Sequence, residues 1–255
     1  MADKTFVQRL KGDLRRDGLF IPTDYVIMKN NFRKELRKFY LSSVQEGQTI
    51  LDVNPGFEGV FRDIDRSKVD YVALERNPLI LDHLTKNGIK VLDWKIPAIP
   101  LEDDSVDLVL STPFIEHLPS YLDALNFLLE VRRVLRPGGR ILLIVPNYLA
   151  TKEIYFDDYK HDWITTKRRM FDMLGDCGFD VVGSRYTIGW ITMRSNPLVI
   201  CARIVSYLLL WALRQHFVAR ILEAVGLHVL AKKLKKTLFE LIVIEARFPG
   251  LKGDR

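Results

Sequence analysis

The chain has 255 residues, 48% of them hydrophobic and 11% aromatic, which is ample for a packed core and excludes a disordered chain. Its net charge of +6 is uneven: residues 49–150 carry 11 basic and 15 acidic side chains, whereas residues 187–238 carry 8 basic and 1 acidic. An acidic centre argues against an evenly basic nucleic-acid groove, and Cys177 and Cys201 are too few for a disulfide framework and, with five histidines, show no zinc spacing, so no metal is expected.

Residues 1–20 are charged and lack an apolar h-region, so no signal peptide is expected; with the sparse cysteines this indicates a cytoplasmic setting. Residues 1–44 are read as an N-terminal helical extension, with Phe32, Leu36, Phe39, Tyr40 and Val44 near one face. Seven short segments rich in Val, Ile, Leu and Phe then read as strands: Thr49–Asn54, Asp70–Glu75, Ile89–Asp93, Val106–Ser111, Arg140–Pro146, Phe179–Tyr186 and Leu238–Arg247. Ile141–Val145 is continuously apolar, as a parallel strand covered on both faces requires.

Helical patterns separate most of the strands. Asn77–Lys86 opens with a cap and a first-turn proline. Ser120–Leu135 has helical apolar spacing and is stopped by Arg136-Pro137-Gly138-Gly139, and Trp163–Cys177 is stopped by Gly178. This alternation predicts an α/β fold with a doubly wound, mostly parallel seven-stranded sheet of Rossmann-like type. The core is expected over residues 45–186 and 238–248. A helical insertion, 187–237, interrupts it, with helices expected over Leu198–Leu213 and Phe217–Lys236.

In such a sheet, ligands bind beyond the carboxyl ends of the strands. Four strand ends carry suggestive residues. After the first comes "LDVNPGFEGVF", Leu51 to Phe61, a ligand-type loop that keeps Gly56 and Gly59 but has Asn54 and Glu58 where glycines are usual. Asn54 precedes Pro55, which favours an extended backbone and would lessen the need for glycine. Glu75 ends the second strand, 23 residues after Asp52, the spacing at which a carboxylate accepts ribose hydroxyls. Asp93 and Trp94 end the third strand, and "STPFIEHLP" ends the fourth, bringing Glu116 and His117 toward the same rim.

In this order, these segments resemble the class I S-adenosylmethionine-dependent methyltransferases, the broad group with "LDVGCGTG"-like first motifs. "IPLEDDSVDLVLSTPFIEHLP" and "EVRRVLRPGGRILLIVPN" are similar to that group's fourth- and fifth-strand segments, and "HDWITTKRRMFDMLGDCGFDVV" to its closing helix and sixth strand. The resemblance covers residues 45–186 and the final strand, which it implies is antiparallel between the fifth and sixth. A nicotinamide-binding domain fits less well, because only two glycines of G-x-G-x-x-G are present.

The resemblance implies S-adenosylmethionine as cofactor. Asp52, Asn54, Gly56 and Gly59 would face its methionine part, Glu75 and the adjoining Arg76 its ribose, and Asp93 and Trp94 its adenine. Ser111 and Thr112 would lie beside the reacting methyl. For a hydroxyl acceptor, the candidate bases are His117 and His161, the latter in "YFDDYKHDW". Glu58 is the objection, since it would lie beside the cofactor's own carboxylate.

The insertion adds a partner. "LVICARIVSYLLLWAL" is shorter than a membrane span and carries an Arg, while Trp190, Tyr207, Trp211 and the Lys232–Lys236 run suit the interface of an anionic membrane. The expected activity is therefore methylation, on oxygen, of a small-molecule or lipid-linked acceptor by an enzyme peripheral to the cytoplasmic membrane face, with oligomerisation left open. The rival is a catalytically silent methyltransferase-like subunit that binds a partner protein through the insertion.

Overall fold

The computed structural model describes residues 44–56, 59–94, 97–111, 113–157, 161, 163–188, 215–227 and 240–250, with isolated positions at 42, 201, 204, 205, 208, 209, 211 and 212. The expected N-terminal helices, Phe57 and Glu58 of the glycine loop, Thr112, and the Lys232–Lys236 run lie outside the described residues.

Seven strands form one sheet: β1 Thr49–Val53, β2 Asp70–Glu75, β3 Lys90–Asp93, β4 Val106–Ser111, β5 Leu135–Pro146, β6 Asp180–Ile188 and β7 Glu240–Arg247. Their spatial order is β3-β2-β1-β4-β5-β7-β6, with β7 antiparallel to both neighbours and the other pairs parallel. Sequence pattern explains why the sheet is covered on both sides. In β1, Leu51 and Val53 join one apolar cluster with Val72, Leu74 and Val109; Ile50, one position off, joins a second with Tyr71, Ala73 and Leu108. Successive side chains alternate faces, so a strand with no polar interruption buries both.

The helices are α1 Pro78–Lys86, α2 Tyr121–Val134, α3 Tyr148–Thr151, α4 Lys167–Asp176 and α5 His216–Ala224. Each of the first four begins where a side chain accepts an orphan backbone N–H: Asn77 for Leu79, Ser120 for Asp123, Asn147 for Leu149 and Thr166 for Arg169.

Three boundaries depart from the sequence expectations. Helix α4 starts at Lys167, not Trp163, because the Thr166 cap sets its first turn and Trp163 is drawn into the core. After α2 the chain passes at once into β5, so Arg136–Gly139 belong to a strand. A register shift against β4 between Val106 and Leu108 accommodates them, and Gly138 takes φ +86°. In the insertion, α5 ends at Ala224 instead of Lys236, where Gly226 at φ +73° turns the chain.

Candidate functional site

Strand register sets the rim on which the site is built. Val53 pairs with Leu74 of β2 and Ser111 of β4, and Glu75 pairs with Asp93 of β3. The carboxyl ends of β3, β2, β1 and β4 therefore finish level, bringing together residues spread over 60 positions of sequence.

Glu75 is 2% exposed. Its Oε1 accepts the backbone N–H groups of Arg76 and Asn77, both at 2.9 Å, which turns the chain into α1 and aims the carboxylate. Its Oε2 is buried with no hydrogen-bond partner among the described residues, as are Asp52 Oδ1 and Ser111 Oγ. Buried polar atoms are nearly always satisfied, so these orphans, together with Trp94 Nε1 just past the end of β3, mark a place for a polar ligand. Arg76 is exposed and meets Glu75 through its backbone N–H.

Asp52 is fully buried, and Tyr71 donates its hydroxyl to Oδ2 at 2.5 Å. Burial pushes the carboxyl up to about 7, against the Tyr71 and Val60 hydrogen bonds that pull it down; the nearby Glu75 charge adds a smaller push upward. The same contact pushes the Tyr71 phenol well above its ordinary value, with burial as the larger cause.

The loop after β1 is built differently from the sequence reading. Asn54 has φ +57°, the left-handed region, and is not extended. It occupies a glycine-type conformation that asparagine tolerates better than most residues, and its N–H donates to Leu74 O at 2.9 Å. Gly56 has φ +66° with open space around its absent Cβ, so the backbone angle alone calls for glycine. Gly59 has an ordinary φ of −66°, but a Cβ there would lie 2.6 Å from Pro55 Cβ and 2.9 Å from Phe61 Cδ1. Its close approach is to the loop itself.

Trp94 is 4% exposed and packs in the core against Phe114 and Phe127, with ring centroids 5.0 and 5.7 Å away. Its Nε1 is buried with no hydrogen-bond partner among the described residues, a donor left open just past the end of β3.

A second cluster lies beyond β4. A 310 turn, Ile115–His117, carries Glu116 and His117, and the segment after β5 carries His161. The two imidazole rings are 4.8 Å apart between centroids, tilted by 40°. Three hydrogen bonds brace the arrangement. Trp163 Nε1 donates to Ile115 O at 2.9 Å, the Tyr155 hydroxyl donates to Trp163 O at 2.6 Å, and His161 Nδ1 lies 2.6 Å from Tyr155 O. Burial pushes the Tyr155 phenol up to about 12, so it serves as a neutral donor. Tyr71, Tyr155 and Trp163 had no assigned role in sequence. The signal for Tyr71 was its place on the same sheet face as Asp52; Tyr155 and Trp163 carried none.

Residues 51–143 match a family model described as a methyltransferase domain. The chain is 30% identical over 168 residues to an uncharacterized protein of Methanocaldococcus jannaschii, MJ0638, covering 62% of this chain and 67% of that protein. It is 28% identical over 129 residues to a second from that organism, MJ1233, covering 46% of this chain and 45% of the relative, less than half its length. A solved SAM-dependent methyltransferase from Methanosarcina mazei superposes with a TM-score of 0.56 at 13% identity, over 82% of this chain and 96% of that one. With the sheet order and the acid-bearing strand ends, these findings show that the chain belongs to the class I S-adenosylmethionine-dependent methyltransferase superfamily.

The cofactor of that superfamily, S-adenosylmethionine, fits the orphaned atoms. Glu75 Oε2 is an acceptor suited to a ribose hydroxyl, and Asp52 Oδ1 is an acceptor suited to a cationic amino group.

Proposed function

We propose that this chain transfers a methyl group from S-adenosylmethionine to an oxygen of an amphipathic small molecule, lipid-linked or free, at the cytoplasmic face of a membrane. The observation that carries the reading is the pairing of His117 with His161 on the two segments that follow β4 and β5, near the rim where Ser111 and Glu75 leave buried oxygens open.

When bound, the cofactor supplies a methyl on a sulfonium, which passes to an oxygen nucleophile in one in-line displacement while the C–S electron pair stays on sulfur. The chain aligns the partners, a contribution of about 7–11 kcal/mol in well-oriented systems. Glu75 anchors the ribose side through Oε2. The Glu116–His117–His161 cluster handles the acceptor hydroxyl's proton, in the simplest form by transfer to a neutral imidazole, worth about 10²–10⁴ in rate. The Tyr155–Trp163–Ile115 bracing holds the His161 segment against the turn that carries His117.

The membrane part is supported by the insertion. Val205, Leu208, Trp211, Phe217 and Val225 are exposed at its described positions, and residues 187–238 carry the basic excess. No helix among the described residues is long and apolar enough to cross a membrane.

Methyl transfer from labelled cofactor to the lipid and aqueous fractions of a cell extract tests the acceptor class, and flotation with anionic vesicles tests the contact. Label in the lipid fraction, and flotation lost in the doubly substituted Trp211→Ser, Phe217→Ser chain, are expected. A cofactor-bound chain that methylates neither fraction points to the silent subunit instead, and equal flotation of both chains removes the membrane contact.

A further inference from the structure

We propose that Glu116, His117 and His161 form a binding site for one divalent transition-metal ion of the zinc type, on the acceptor side of the methyl-transfer site. One ligand atom from each residue lies within 4.8 Å of the other two. Zinc bonds of about 2.0–2.2 Å bring ligand atoms to roughly 3.3 Å from one another, so closure onto an ion needs side-chain rotation and no backbone rearrangement. Two imidazoles and one carboxylate are also the donor set of zinc sites that keep a fourth position open.

The surroundings prepare the donors. His161 Nδ1 faces a carbonyl oxygen, that of Tyr155, at 2.6 Å. A carbonyl can only accept, so Nδ1 carries the proton and Nε2 keeps the lone pair that a metal requires. This is how ligating histidines are ordinarily oriented from behind. Glu116 is 1% exposed, on a turn whose Ile115 carbonyl is fixed by Trp163 Nε1. A buried carboxylate beside two imidazoles is a donor set that a cation can share, and burial strengthens its attraction for one.

No motif could announce this site, since His117 and His161 are far apart in sequence and meet only because β4 and β5 are neighbours. An ion there would lower the pKa of a hydroxyl at its open position. That consequence rests on the methyl-to-oxygen reading; the binding claim does not.

The test is calorimetric titration of zinc chloride into the full-length, chelator-stripped protein, with magnesium chloride as comparator and S-adenosylhomocysteine affinity measured on every variant. The expected result is one zinc per chain and weak or no magnesium binding. Glu116→Gln, His117→Ala and His161→Ala should each weaken zinc at least tenfold with S-adenosylhomocysteine affinity unchanged, while Cys201→Ser, at an exposed cysteine, leaves zinc binding as it was. Wild type that binds S-adenosylhomocysteine but no zinc overturns the metal site and leaves the proposed function standing. Zinc binding undiminished in the histidine variants overturns it equally. Zinc bound at these residues in a protein that methylates no oxygen acceptor upholds the site and removes only the catalytic consequence.

Discussion

Tyr71 donates its hydroxyl to Asp52 at 2.5 Å, deep on one face of the sheet, and this contact helps hold a buried carboxylate at the root of the loop that follows β1. It does not offset burial fully, since Asp52 still stands at about 7 instead of 3.8.

That shift has a sign. Between about pH 4 and pH 7 the folded chain holds a proton on Asp52 that the unfolded chain has lost, so the group's contribution to stability falls as pH rises through this window. At about 1.4 kcal/mol per pH unit, the loss is on the order of a few kcal/mol by pH 7. Asp52→Asn removes the titration. Denaturant unfolding across this range should show a slope shallower by about one proton in the variant, and parallel slopes would contradict the assignment.

Asn54 at φ +57° predicts a split between two substitutions. Asn54→Gly keeps the conformation and should stay within about 1 kcal/mol of wild type, whereas a β-branched Asn54→Val should cost about 1–3 kcal/mol through backbone strain. Equal stability of the two variants in urea unfolding would show that the loop does not need the left-handed angle.

Gly59 predicts a packing effect in place of a backbone one. With φ at −66°, alanine is conformationally allowed there, but its Cβ would meet Pro55 and Phe61 inside 3 Å. Gly59→Ala should lower stability by about 1–3 kcal/mol and weaken S-adenosylhomocysteine binding, because the loop must open to admit the methyl. A variant with wild-type Tm and affinity would refute this.

These two loop residues show what sequence could and could not deliver. The doubly wound sheet and the strand ends carrying Asp52, Glu75 and Ser111 were legible, because continuous apolar strands alternating with capped helices leave few topologies, while the antiparallel place of β7 between β5 and β6 followed from the family resemblance. The backbone at Asn54 was not. The proline after it suggested an extended conformation, yet the hydrogen bond from Asn54 to Leu74 goes with a left-handed one. The packing of Trp94 was not legible either, because Phe114 and Phe127, which close around its ring, are distant in sequence. The bracing of His161 by Tyr155 and Trp163 carries no local pattern at all. It arises from two loops meeting over the sheet.

That bracing gives a prediction that separates the two halves of the site. Trp163→Phe removes the donor to Ile115 O and leaves a buried carbonyl unsatisfied, at a cost of about 1–3 kcal/mol. Methyl-transfer kinetics should show a raised KM for the acceptor with the Kd for S-adenosylhomocysteine unchanged. A weakened Kd with an unchanged acceptor KM would place this segment on the cofactor side.

The central claim is that the rim of β1, β2 and β4 holds S-adenosylmethionine through Glu75, and calorimetry of S-adenosylhomocysteine with wild type and Glu75→Gln tests it most directly. Glutamine can still accept from Arg76 and Asn77 but brings no charge to the second position. The account predicts one ligand per wild-type chain and binding about 10- to 100-fold weaker in the variant, as for loss of a charged hydrogen bond. No binding by a folded wild-type chain, or equal affinity in the two proteins, would contradict it.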